Sequence, residues 1–270
     1  RGQQSGQQHR AHPGLFVRQL VGEKEKGATR IIGRYAESLE LGLSHERVRE
    51  CLDIASGRQG TTHPTTGVPV RRVLAAPGGL VGCVAARTAA HEDMRMEKPL
   101  WAEQRPENWW DACQQAVRGV LADAGVSGDA VRGVSLSGQM HGLVILDADY
   151  NVIRRSLIWC DQRSQAQVDA INAKVGKARV LECIANPVLT GFTLPKLLWV
   201  RDNEPAAYER VRHMLLPKDY IRFQLTGELA SEVSDASGTA LFDVVNRRWS
   251  YELADALGID RSILPRVYES

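Results

Sequence analysis

The chain has 270 residues, 43% hydrophobic and 24% charged, an ordinary balance for a globular protein. A formal net charge of +2 gives no electrostatic case for nucleic-acid or membrane partners. No apolar run of about 18 residues occurs to cross a bilayer, and the polar start RGQQSGQQHRAHPG lacks a signal peptide's apolar core, so a cytoplasmic protein is expected.

Charge is not uniform along the chain. Residues 1–90 hold thirteen Lys/Arg against seven Asp/Glu, a net of +6, and the remainder carries −4. The first segment opens on low-complexity Gln, Gly and His, contains the turn-rich GRQGTTHPTTGVP, and offers one amphipathic helix candidate, Tyr35 to Ile54. From Gly78 the texture changes. GGLVGCVAA reads as a strand. PENWWDACQQAVRGVLADAG reads as a helix, with Trp110, Cys113, Ala116, Val117 and Val120 at helical spacing and a stop at Gly125. VRGVSLS reads as a short apolar strand, and GLVILDADYNVIRRSLIW as a hairpin around Asp147–Asn151. Further helices are expected over Gln165–Val180, over Leu194–Arg201 with Thr193 as cap and Pro195 just inside, and over Pro205–His213. Strands mixed with helices in this order predict an α/β domain. Five cysteines form no CxxC pair and read as reduced thiols, and the seven histidines show no metal-ligand spacing.

Four stretches could carry chemistry. Gln139, Met140 and His141 stand between Gly138 and Gly142, where an apolar strand ends; the glycines allow close backbone approach, and Gln and His suit hydroxyl groups. A tight turn with a satisfied histidine is the alternative. Asp235 lies among small residues in EVSDASGT, sterically open to act as a general base, or else it is a helix cap. In IWCDQR, Trp159 could form the flat wall of a sugar pocket, with Asp161 and Arg163 as an ion pair fixing the turn; the alternative is a tryptophan at the core's edge beside a solvated turn. GFTLPKLLWVRDN, with Lys196 and Trp199 on roughly one face and Leu197, Leu198 and Val200 as core, reads as structural.

In this order PLWAEQRPENWW, SLSGQMHG, LIWCDQR, GFTLPKLLWV, LLPKDYIRFQLTGE and SDASGTALFDV resemble the FGGY family of carbohydrate kinases, most of all its xylulokinase-like members. The resemblance runs from about Gly78 to Ser270. It implies the ribonuclease-H-like, actin-like ATPase fold, of which this would be the first of two domains with the site between them. It implies transfer of the ATP γ-phosphoryl group to a ketose, D-xylulose in the first place, with Mg²⁺ bridging the phosphates and Asp235 as the catalytic base. It gives Met140 and His141, with Gln139 beside them, as sugar contacts, and Trp159 as a lining residue. QMHG favours xylulose over glycerol, ribulose or gluconate, because Met and His stand where glycerol kinases tend to carry a charged pair.

Two departures stand beside it. Residues 1–77, an atypical basic segment, match nothing in the family; disorder, a mis-framed start and a divergent extension are the readings open for it. The family's Asp-x-Gly-Thr phosphate loop is not found, and Gly60-Thr61-Thr62 is the nearest fragment. The chain also stops about where the linker to the second domain is expected, so ATP binding by this chain alone should be weak. The partners expected are therefore a small sugar and ATP, no nucleic acid and no membrane; a homodimer is allowed. A non-catalytic sugar-binding module is the alternative reading.

Overall fold

Four consecutive apolar residues, Leu143 to Leu146, organise the domain. All four are fully buried, and alternate side chains leave a strand on opposite faces. In the computed structural model, which describes residues 67–75, 81–131 and 133–270, Leu143 and Ile145 join one core and Val144 and Leu146 another. A strand covered on both faces reads as an unbroken apolar run.

The elements follow in chain order. β1 (Gly67–Ala75) and β2 (Val81–Ala90) form an antiparallel hairpin. β3 (Glu103–Gln104) leads into α1 (Pro106–Asp123). β4 (Val144–Leu146) and β5 (Ser156–Leu157) precede α2 (Gln165–Val175), α3 (Lys177–Ile184), α4 (Thr193–Asn203) and the single turn α5 (Pro205–Tyr208). β6 (His213–Leu215) runs into α6 (Pro217–Thr226), and β7 (Ala230–Glu232) directly into α7 (Val233–Ala236). β8 (Phe242–Asp243), β9 (Arg248–Trp249), α8 (Tyr251–Leu257) and β10 (Arg266–Tyr268) complete it.

β4 lies at the centre. It pairs antiparallel with β6 from Val144–Leu215 to Leu146–His213. Leu143 bridges to Leu157 of β5, which pairs with β3. On one face Leu143, Ile145, Leu157 and Met214 meet α2, α3 and α4 through Ile171, Ile184 and Leu197. On the other, Val144, Leu146, Ile158 and Leu215 meet Trp109 of α1 and Tyr220 of α6. Helices thus cover both faces of a small sheet, the α/β layering expected. β7 pairs with β10 in parallel, Ala230 opposite Arg266, and this places α7 at the end of a strand.

The hairpin turn is as expected: the Asp147 carboxylate accepts from the N–H groups of Asp149 and Asn151, and the Asp147 N–H donates to the Asn151 carbonyl. α1 is also as expected, ending before Gly125 at φ +63°. Its inward tryptophan is Trp109 rather than Trp110, with Ala112, Cys113, Ala116 and Val120 in the same stripe.

Other expectations are corrected. VRGVSLS is not a strand, and Val134 is 70% exposed. A strand exists only by pairing, and among the described residues no strand takes this segment as a partner. Gln165–Val180 is not one helix: Gly176, at φ +88°, ends α2 and opens α3. Thr193 does not cap α4: it is the first helical residue, after Phe192 at the cap position, and its hydroxyl donates to the His141 carbonyl. Pro205–His213 is helical only to Tyr208, since His213 is drawn into the sheet beside Leu146. Tyr35–Ile54, Gly60-Thr61-Thr62 and nearly all of the proposed 1–77 segment lie outside the described residues. No helix among the described residues is long and apolar enough to cross a membrane.

Candidate active site

The glycines of SGQMHG make room for α6. A Cβ at Gly142 would stand 2.5 Å from Pro217 Cγ, and one at Gly138 3.1 Å from Lys218 Cβ. Between them His141 adopts φ +64°, a left-handed backbone that costs a non-glycine residue on the order of 1–3 kcal/mol. Two donors hold it there. Thr193 Oγ1 and Lys196 Nζ both donate to the His141 carbonyl, at 3.2 and 2.9 Å. The imidazole stands edge-on to Phe192, centroids 4.6 Å apart, and lies against Gly238, where a Cβ would come within 2.5 Å of Cδ2 and Nε2. QMHG and SDASGT therefore meet face to face. The backbone at His141 is the tight turn expected as one alternative, and the ring lies against the second motif.

Met140 is half-buried beside His141 in the same loop. Gln139 turns away: its amide donates to Gln104 Oε1 at 2.8 Å, an oxygen that also accepts from Trp109 Nε1.

Asp235 sits in the first turn of α7 and is buried. It is not the helix cap. Glu232 is, accepting from Asp235 N at 2.8 Å and Ser234 N at 2.7 Å. Lys218 Nζ, at the start of α6, lies 3.5 Å from Asp235, 3.1 Å from Glu232 and 3.1 Å from Asp219. Burial pushes the Asp235 carboxyl up to about 7; Lys218 pulls against this, while the nearby Asp219 and Glu232 carboxylates add to it. Glu232 stays below its usual range despite burial, because Lys218, the Ser270 hydroxyl and backbone N–H groups favour its charge. A carboxyl poised near neutrality can take or return a proton.

Trp159 projects outward, 53% exposed, above a turn that is anything but solvated. Asp161 is fully buried, accepts from Ala102 N at 2.7 Å and pairs with Arg163 at 2.7 Å. Arg163 lies 3.8 Å over the Trp101 ring and 4.9 Å over Trp199, and it shares Glu103 with Arg154. The ion-pair reading of Asp161 and Arg163 holds, and it leaves the Trp159 ring without a core position. Trp159 O packs on Gly191, where a Cβ would stand 3.1 Å away.

Sequence reasoning missed two lysines. Lys196, assigned a structural helix face, is fully buried and donates to Gly191 O as well as His141 O, so it ties the Trp159 turn, the entry to α4 and the QMH loop into one unit. The signal was a lone charge inside LPKLLWV. Burial pulls its ammonium down to about 7, with Arg163 acting in the same direction and Asp161 against it. The unfolded chain then binds more protons between about 7 and the ordinary lysine value, so this residue's contribution to stability rises with pH across that window. Urea midpoints of Lys196→Met measured from pH 7 to 10 should lack that rise; an unchanged slope would refute the assignment. Lys218, with Asp219, was legible as an adjacent opposite-charge pair at the end of an apolar strand, LLPKD.

A cavity of about 220 Å³ borders α7, lined by Val233, Ser234, Ser237, Phe242, Arg247 and Glu269 among others, and not by His141 or Trp159. Among the described residues no group of three or more His, Cys, Asp or Glu is arranged to hold a metal ion.

A small sheet sheathed by helices is the fold this chain shares with solved sugar kinases of the actin-like ATPase type. A family model, the N-terminal domain of the FGGY family of carbohydrate kinases, matches residues 80–270, and the chain belongs to that family. It is 40% identical over 190 residues to the xylulose kinase of Lactococcus lactis, covering 70% of this chain and 38% of that protein. It is 42% identical over 171 residues to the xylulose kinase of Escherichia coli, covering 63% and 34%. The fold matches the crystal structure of a xyloylose kinase from Brucella ovis at a TM-score of 0.70 and 37% identity, over 76% of this chain and 42% of that one. The matched segment spans well under half the length of these relatives.

Proposed function

We propose that the domain binds D-xylulose between the Met140–His141 loop, Trp159 and Asp235, for ATP-dependent phosphorylation to D-xylulose 5-phosphate. The observation that carries this is the contact of the His141 ring with Gly238, which brings the QMHG loop onto the turn that bears Asp235. His141 and Asp235 offer hydrogen-bonding groups to hydroxyls, and Trp159 offers a flat apolar face to the carbon side of a sugar. The similarity to xylulose kinases supports the choice of ketose.

In this reading Asp235 accepts the proton of the attacking hydroxyl as the γ-phosphoryl group arrives. Lys218, Glu232 and Asp219 set its charge, and the pinned His141 backbone sets where the sugar lies. Phosphoryl transfer also needs magnesium to offset phosphate charge. Magnesium in such sites is held by one or two carboxylates together with the phosphates, and that is the charge neutralisation it would supply here. A second reading is a domain that binds the ketose without transfer.

Calorimetry decides between them. The chain should bind D-xylulose in roughly the 1 μM–1 mM range usual for enzyme substrates, and glycerol more weakly. His141→Ala should weaken the ketose at least about tenfold, the cost of one lost hydrogen bond in a desolvated site, and Trp159→Ala by a smaller factor. No ketose binding by the wild type would sink both readings. Ketose binding without ketose-dependent ADP release would leave only the second.

A further inference from the structure

Lys218 Nζ pairs with three carboxylates, those of Asp219, Glu232 and Asp235. Its side chain and that of Asp219 are almost wholly buried, as is that of Asp235. Were all three acids ionised, the cluster would carry an excess of negative charge away from water, which is costly. Glu232 is the best satisfied: besides Lys218 it accepts two backbone N–H groups and the Ser270 hydroxyl. Competition for the ammonium is therefore between Asp235 and Asp219. Burial raises both above the ordinary carboxylate range, and Lys218 opposes it in each.

We propose that Lys218 is a positioning residue for Asp235, its ammonium being the counter-ion that Asp235 shares with Asp219. This rests on the reading of Asp235 as the group that meets the sugar hydroxyl. The backbone of α6 fixes the arrangement, because Lys218 and Asp219 occupy its first turn and Gly138 lies against the Lys218 Cβ. When the sugar O–H breaks, its proton forms a new O–H bond on Asp235, which becomes neutral. Lys218 then keeps Asp219 and Glu232 as partners, so no lone charge is left buried. When the proton leaves, Lys218 again balances Asp235. The groups around Asp235 on the packed elements are Lys218 and Asp219 from α6, Glu232 from β7 and the His141 ring at Gly238; Arg247 and Glu269 nearby are exposed and paired with each other.

The test is a ¹³C NMR titration of side-chain carboxyls in the sugar-free chain, with the Asp235 resonance assigned by its loss in Asp235→Asn. Lys218→Met should move the Asp235 midpoint up by about one unit or more, since an opposite charge this close shifts a carboxyl by about 1–3 units. Asp219→Asn should move it down, because the ammonium then has one competitor fewer. Loosened packing would move both variants toward the ordinary carboxylate value, so opposite shifts are the signature. A midpoint unmoved in both, or moved the same way in both, overturns the proposal. If Lys218→Met does not fold, Lys218→Gln takes its place, and a midpoint that fails to rise there is fatal. D-xylulose calorimetry on the same samples separates the two ideas. Absent sugar binding removes the functional reading, while the titration still reports whether Lys218 governs Asp235.

Discussion

Asp235→Asn should slow phosphoryl transfer to D-xylulose on the order of 10²–10⁴-fold, the usual contribution of a positioned general base. Asparagine keeps the size and one hydrogen-bonding oxygen of the side chain but cannot take the hydroxyl proton. It also removes one of three negative charges around Lys218, so the fold should not suffer, and sugar binding should stay measurable. The split matters: transfer is lost while binding survives. It is read as ketose-dependent ADP release alongside D-xylulose calorimetry. An unchanged transfer rate would remove Asp235 from the chemistry altogether.

Gly238→Ala should have the largest effect on the sugar side. The added methyl would lie 2.5 Å from His141 Cδ2 and Nε2, well inside contact distance. The imidazole has little room to retreat, because Phe192 stands at its edge and its carbonyl is tied to Thr193 and Lys196. Overpacking of this kind costs about 1–3 kcal/mol. Displacement of His141 should weaken D-xylulose at least about tenfold, which is about 1.4 kcal/mol. Gly258→Ala is the control. Its φ of +67° makes alanine strained, but no neighbour lies within 4 Å, so stability falls and ketose affinity does not. Equal affinity loss in both variants would mean that general loosening is the cause, and Gly238 would lose its special place.

Local features were the legible ones. α1 was readable from its 3.6-residue stripe and from Gly125, and the Asp147–Asn151 turn from its residue types. The identity of Asp235 and His141 as a pair was legible only through the order of motifs, not through any spacing. What failed did so where a partner elsewhere decides. VRGVSLS reads as a short apolar strand, yet among the described residues no strand pairs with it. His213 closes a helical-looking run and instead pairs with Leu146. Thr193 has the chemistry of a cap, but the helix starts on it, one residue after the cap position, and its hydroxyl reaches the His141 carbonyl of another loop.

Sequence by itself determined the α/β class and the family and picked out the candidate site residues, because periodicity and motif order are written along the chain. Tertiary structure alone decided which charges those residues feel. Lys196, on a helix read as structural, is a buried clamp, and Lys218 and Asp219, which no motif reading singled out, lie buried together beside Asp235. The physical reason is burial. A charge in water interacts weakly with its neighbours, whereas the same charge out of water dominates every ionisable group within a few ångströms. Which charges are buried together depends on how α4, α6 and α7 meet around the QMH loop, and no local stretch encodes that meeting.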